Sequence, residues 1–501
     1  MKKFLLLAIC ALSVCLTGCS DNDTPEQLPD PELTLAPDAP IVFPAEGGSV
    51  EITVTTNMES WNAVSDQKWC NVAVSAGKFT VSAVKNETPE AMPAATVTVT
   101  ASTGERSVSR KLQVSQEAGK EKIVDLSEAG TSNCYLVTAA GNYSFDATVR
   151  GNGATTEGLD APTAIAGTSA AVVWQSAPGL ISGVTLADGR ISFKIAGPGN
   201  AVIAVKDGAI LWSWDIWYPE AEVAGLNSKT GYEVMNMNLG AMHNTAGDVG
   251  SYGLLYQWGR KDPFPAAPTL TGTTATVGAP IYDGDDNEIK ITNSSQSSTA
   301  DNNLAFAIAN PTVCLSNYAQ FNTSRDWLQA DMSNDALWGN PKGAERNETN
   351  DFLNKGAKSF YDPCPVGWRV PPADVFRNFT ASGGYAWVID DFDIADISGD
   401  GAKSLADYDY GWTFNLSDSA SSYFPAAARF DGSYAMLMGS MSGLWGSYWG
   451  NAPYPGDMFR GGAYSVLSFQ IKDTAGNEMI TTSPAGGGAR ADAYSVRCIR
   501  E

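Results

Sequence analysis

The sequence predicts a mainly β protein of more than one domain, and three observations carry that prediction. Short apolar–polar alternations such as "SVEITVTT" and "ATVTVTAS" recur, the period-two signature of half-buried strands. Glycine is abundant at 49 residues, which suits a chain with many turns. At 501 residues the polypeptide is too long for one ordinary core, so roughly two to four domains are expected.

Composition narrows the function. Fifty-five acidic against 32 basic residues leave a net charge of −23, which repels a phosphate backbone and excludes nucleic acid as a partner. There is one histidine, His243, and no CxxC spacing, so a His-rich zinc site is excluded. His243 sits in "GAMHNTAG" without a nucleophile-elbow motif and reads as a bystander. Glycoside hydrolysis needs only two well-spaced carboxylates, and no motif singles out such a pair.

The first residues are a targeting segment. Lys2 and Lys3 precede the apolar run "FLLLAICALSVCL", which is too short for a comfortable membrane span. "LTGC", Leu16 to Cys19, resembles the bacterial lipobox. That resemblance implies a signal peptide over residues 1–18 and acylation of Cys19, which anchors the chain in outer-membrane lipid. "SDNDTPEQLPDPE" opens an acidic, flexible tether over 19–35. Its Asp21 and Asp23 look like the surface-export signal of Bacteroidota lipoproteins, so the chain is expected to face the cell exterior.

Residues 36–118 read as strands throughout, with "KFTVSAV" and "RKLQVSQ" spaced for a small sandwich. Gly47–Gly48, Trp61, Trp69, Asn86 and Gln116 stand where the BACON domain of Bacteroidota surface proteins places its landmarks. The segment resembles that family, which implies an immunoglobulin-like β-sandwich often attached to carbohydrate-active or surface modules. The charged linker "QEAGKEK" follows.

A β-rich domain is expected over 124–230. "NCYLVTAAGNYSF" reads as two strands around Gly141–Asn142, and "NAVIAVKDGAILWSWDIW" as a hairpin turning at Asp207–Gly208. In its second strand Ile210, Trp212, Trp214 and Ile216 share a wholly apolar face, so both rings are predicted core residues. Trp217 shares the mixed face with Ser213 and Asp215 and is the better candidate for an exposed, ligand-binding ring.

From 231 to 501 glycine-rich loops carry "MNMNLGA", "SYGLLYQWGRKDPF", "YDPCPVGWRVPPADVF", "GLWGSYWG" and "YSVRCIRE". With "NCYLV" and "ILWSWDIW" these resemble the major paralogous domain family first noticed in Fibrobacter succinogenes. The part after "GWRVP" is similar to C-type-lectin-like folds, implying an α+β domain. A helix is then expected at "PADVFRNF", with Pro372 at its start and Asp374 in its first turn, and a terminal "VRC" strand. The resemblance also implies pairing of Cys364 with Cys498. The chain departs from the family where Asp215 replaces its histidine, and where Asn236 and Met237 interrupt its Asp-Arg-Asn triplet. A polar insertion at about 269–359 carries Trp327 and Trp338, and loops of that length are usually functional or mobile.

Two constellations carry chemistry. "GLWGSYWGNAPYPGDMF" presents Trp445, Tyr448 and Tyr454 among glycines, the strongest candidates with Trp217 for a ligand surface. "DISGDGAKSLAD" places Asp396, Ser398, Asp400 and Asp407 at the oxygen spacing of an EF-hand-type loop. It reads either as a Ca²⁺ site, the one cofactor the sequence suggests, or as a solvated acidic loop. The sequence as a whole points to a non-enzymatic surface lipoprotein that adheres to glycan, mucin or a surface protein. The alternatives are an accessory or tip subunit of a fimbrial assembly and a polysaccharide-processing enzyme.

Overall fold

The computed structural model describes residues 29–119, 122–272, 274–294, 303–316, 326–328, 334–349, 351–455, 462–472, 478–484 and 486–501. The signal peptide, Cys19, Asp21 and Asp23 lie outside the described residues. The chain is mainly β and divides into two compact units, Met1–Glu121 and Lys122–Glu501.

The first unit is a sandwich of two four-stranded sheets. Its strands are β1 (Leu33–Ala36), β2 (Ile41–Phe43), β3 (Gly48–Thr56), β4 (Ser60–Ser65), β5 (Asn71–Ser75), β6 (Lys78–Ala83), β7 (Ala95–Thr103) and β8 (Arg106–Gln116). The sheets run β1-β3-β6-β5 and β2-β8-β7-β4. Strict alternation makes the core: Ala95, Val97, Val99 and Ala101 of β7 are sealed, while the threonines between them are half-buried. The expected tether to residue 35 ends earlier, because Leu33 is itself a core residue and β1 pairs with β3.

The landmark residues of this unit all serve packing. Gly47 has φ +82°, and a Cβ there would stand 2.3 Å from Ala83 O. The Gln116 side-chain amide donates to Val84 O at 2.7 Å, and Asn86 donates to Glu90 O at 2.7 Å. Trp69 Nε1–H donates to Pro93 O at 2.9 Å.

The second unit opens with a further pair of sheets. Its first strands are β9 (Ile123–Asp125), β10 (Cys134–Leu136), β11 (Gly141–Asp146), β12 (Ser169–Gln175), β13 (Ile181–Ala187), β14 (Arg190–Ile195), β15 (Gly199–Asp207) and β16 (Ala209–Tyr218). One sheet runs β13-β14-β11-β9. The other runs β10-β16-β15-β12 and continues into Ile281–Tyr282 and Glu288–Ile289. Phe145 of β11 meets Trp214 of β16 with ring centroids 5.1 Å apart. The hairpin β15–β16 forms where the sequence placed it, with Gly208 at φ +70°.

No core boundary falls at 230/231, where the sequence suggested one. A single apolar cluster includes Trp212, Trp258, Trp338 and Trp449. The β10–β16 sheet takes strands from beyond residue 280, and the Asn133 amide donates to Phe360 O and Asp362 O, so the two segments close one core. The insertion contributes to that core as well: Trp327, Leu328, Leu337 and Trp338 are sealed, and Trp327 Nε1–H donates to Trp258 O at 2.8 Å.

Among the described residues the one α-helix is Asn303–Ala309. The helix expected at Pro372 is instead a run of turns with three-residue hydrogen bonds, ending in a 3-10 turn at Arg377–Phe379. A three-residue repeat puts Phe376 and Phe379 on one side, where both are buried and stacked at 4.8 Å.

The chain end is built into the middle of a sheet. Ile499–Arg500 pairs with Glu233–Met235 on one side and Trp368–Arg369 on the other. Cys364 and Cys498 form a disulfide beside it. Arg497 is fully buried and donates to Asn238 Oδ1 at 2.9 Å, Tyr423 O at 2.7 Å and Ser422 Oγ at 3.0 Å. Burial pulls its guanidinium down to about 10.

Candidate ligand-binding groove

Three antiparallel strands, Trp445–Pro453, Gly462–Lys472 and Glu478–Ser483, sort their side chains by parity. The register Trp445↔Gln470↔Thr481 and Ser447↔Ser468↔Ser483 makes one polar face. Tyr448, Leu467, Phe469 and Thr482 lie on the other face and are fully buried.

A fourth segment extends this sheet. Ala386 exchanges two backbone hydrogen bonds with Thr482, at 2.9 and 3.0 Å. Ala386 therefore turns to the core face, and its neighbours Tyr385 and Trp387 turn to the polar face. They are 50% and 60% exposed, with ring centroids 4.9 Å apart.

The polar face floors a groove of about 650 Å³ lined by Arg346, Arg377, Tyr385, Trp445 and Tyr454 over Ser468, Gln470, Thr481 and Ser483. Among the described residues that line it there is no carboxylate. The Arg346 guanidinium lies 3.7 Å from the Phe352 ring centroid and donates to Tyr464 Oη at 2.9 Å. Tyr454 packs edge-on against Tyr464 at 5.1 Å. Arg377 lies 3.7 Å from the exposed Asp351.

Trp445 is half-buried, with its Nε1–H donating to Ser468 Oγ at 3.3 Å and Arg429 4.4 Å from its ring centroid. Burial works against the Arg429 charge, but Asp492 and Asp431 more than offset it. The groove thus offers aromatic faces for stacking and neutral groups for hydrogen bonds, with two guanidiniums on its wall.

The sequence candidates divide between groove and core. Trp445 and Tyr454 line the groove. Tyr448 does not: its register opposite Leu467 turns it inward, where its hydroxyl donates to Pro425 O at 2.8 Å. Trp217 is also sealed, its Nε1–H donating to Ala241 O at 2.7 Å. The mixed face of β16 is covered because a buried ion pair meets its polar residues. Ser213 Oγ donates to Asp262 Oδ1, and Lys261 Nζ binds both, each at 2.6 Å. Trp212 and Trp214 of the opposite face are core residues.

Asp215, on the same strand, is buried, and burial pushes its carboxyl up to about 7. Its Oδ2 accepts from the Cys134 thiol at 3.6 Å.

Asp396, Ser398, Asp400 and Asp407 do not form a calcium cage. Among the described residues no group of three or more His, Cys, Asp or Glu is arranged to hold a metal ion. The carboxylates are spent on the loop itself. Asp396 accepts from Gly399 N–H, Gly401 N–H and Ser398 Oγ, and Asp400 accepts from Ala402 N–H. Asp407 is buried and accepts from the N–H groups of Ile397, Ser398 and Ser404, each at 3.0 Å. His243 lies 3.6 Å from Asp248.

Arg346, Arg377, Tyr385 and Trp387 were missed from sequence. "GGYAWV" carried a usable signal for the last two, because an aromatic–small–aromatic triplet on a strand projects both rings to one side.

No family model matches the chain, and no curated protein matches it. Among solved structures, a chimeric titin Z1Z2–Z1Z2 tandem is 10% identical over 38% of this chain and 97% of its own, with a TM-score of 0.14. An endo-fucoidan hydrolase of glycoside hydrolase family 107 is 14% identical, covering 36% of this chain and 32% of its own, with a TM-score of 0.13. A Parabacteroides merdae β-glucuronidase is 12% identical, covering 38% and 25%, with a TM-score of 0.14. Likeness at this level assigns neither fold nor activity to this chain.

Proposed function

We propose that the chain is a non-enzymatic, lipid-anchored surface protein whose second unit binds glycan in the groove between Tyr385 and Trp445, favouring sugars that carry an acidic group. The observation that carries this reading is the convergence of the exposed Tyr385 and the half-buried Trp445 and Tyr454 rings, a hydroxyl- and amide-bearing floor and two guanidiniums, without a carboxylate among the described lining residues. The same lack of carboxylates among the described lining residues supports a non-hydrolytic role, since glycosidases work with a carboxylate pair. The lipobox-like "LTGC" supports anchoring through Cys19. The BACON-like first unit fits the part of a spacer, because its landmark residues are engaged in packing.

The test is binding of the intact chain to an array of neutral and acidic polysaccharides, followed by calorimetry on the best ligand. Trp387→Ala and Trp445→Ala are expected to weaken all glycans tenfold or more, at about 1–3 kcal/mol per lost stacking partner. Arg346→Gln is expected to weaken only the acidic ones. An array without specific binding, or binding untouched by both tryptophan variants, overturns the proposal.

A further inference from the structure

The strand register gives the groove a length as well as a lining. The strands Trp445–Pro453, Gly462–Lys472 and Glu478–Ser483 and the segment at Ala386 lie side by side, so rows of side chains cross four backbones. Ala386 is opposite Thr482, which sets Trp387 opposite Thr481 and Tyr385 opposite Ser483. One row therefore runs Trp445, Gln470, Thr481, Trp387. The other runs Ser447, Ser468, Ser483, Tyr385.

The rings stand at opposite margins of these rows. Trp445 is on the first backbone, while Tyr385 and Trp387 share the fourth with their ring centroids 4.9 Å apart. Adjacent backbones in a sheet are about 4.8 Å apart, so three spacings hold the two margins about 14 Å from each other. Between them the rows carry Ser468, Gln470, Thr481 and Ser483, all uncharged and all lining the groove. Arg429 covers one face of Trp445, 4.4 Å from its centroid, so a ligand can stack only on the opposite face.

This spacing bears on ligand size. A pyranose ring is about as long as one strand spacing, so one or two sugars can touch only one margin, whereas a chain of about four reaches both. Once one end is stacked, the other contact forms within the same complex at high effective concentration. Affinity then climbs steeply with chain length until both margins are engaged.

We infer, building on the glycan-binding reading above, that the groove takes a linear stretch of about four sugar units laid across the strands, rather than a single sugar or a disaccharide. The outer units stack on Trp445 at one margin and on Tyr385 and Trp387 at the other. The inner units hydrogen-bond to the hydroxyl and amide groups of the floor.

The test is calorimetry on the intact chain with size-fractionated oligomers, one to six sugars long, cut from the polysaccharide that binds best on the array. Affinity is expected to rise at least tenfold between two units and four, and to level off beyond. Tyr385→Ala/Trp387→Ala removes one margin at two exposed positions, and it is expected to bring the four-unit oligomer down to the affinity of the two-unit one. Full affinity at one or two units, or a length gain that survives in the double variant, overturns this inference and leaves glycan binding standing. Absence of binding by the polysaccharides and by oligomers of every length overturns both.

Discussion

Trp387 and Tyr385 stand side by side on the outward face of a sheet edge because Ala386, between them, is hydrogen-bonded in both directions to Thr482. At 60% exposure Trp387 is the most accessible of the fourteen tryptophans. Iodide is therefore expected to quench Trp387 first. Trp387→Phe should remove most of the accessible fluorescence while changing stability by less than about 0.5 kcal/mol. Equal quenching of variant and parent would contradict the placement of this ring.

The Cys364–Cys498 disulfide closes a loop with a sequence separation of 134 residues. Its loss in Cys364→Ser/Cys498→Ser is expected to cost the second unit roughly 4–5 kcal/mol in the chain-entropy account. Urea denaturation with and without reductant checks this. The transition of the first unit should not move, since Cys70, its one described cysteine, is a free thiol.

Burial pushes Asp215 up to about 7 and Asp362 up to about 6. A raised carboxyl means that the folded chain holds protons that the unfolded chain, titrating near 4, has released. Stability is thus expected to fall as pH rises from about 4 to about 7, by up to about 1.4 kcal/mol per unit for each group, and then to level off. Asp215→Asn should flatten the upper part of that slope. Urea midpoints at pH 5, 6, 7 and 8 provide the measurement, and an unchanged slope in the variant would count against the buried assignment.

The 396–407 loop is held by its own carboxylates. Burial opposes ionisation of Asp407, but backbone N–H groups led by Ser398 and Ser404 outweigh it and hold the carboxyl below its ordinary range. Asp407→Ala is expected to cost about 1–3 kcal/mol, by stranding those donors. Millimolar Ca²⁺ should leave the parent melting temperature unmoved, and a rise of several degrees would revive the metal reading.

What could be read from the sequence divides along a physical line. Strand parity was legible wherever one side of a strand meets water, as in β3 and β7, and the turn at Gly208 followed from local chemistry. The inward position of Trp217 was not legible, because the Lys261–Asp262 pair that covers its face comes from 44 and more residues away. Tyr448 and Trp445 are three residues apart, and only the register against Leu467 and Gln470 separates core from groove. Arg346 reaches the groove from an irregular loop and Arg377 from a short 3-10 turn, where neither the strand nor the α-helix period announces direction.

The position of Arg497 has a consequence for how the molecule is made. A chain halted at residue 496 would possess every large aromatic of the second unit yet lack the clasp that joins Asn238 to Tyr423. The second unit can therefore close only once residues 497–500 are present to join segments that lie far earlier in the sequence. A chain cut at that point is expected to be open to proteolysis in its second unit.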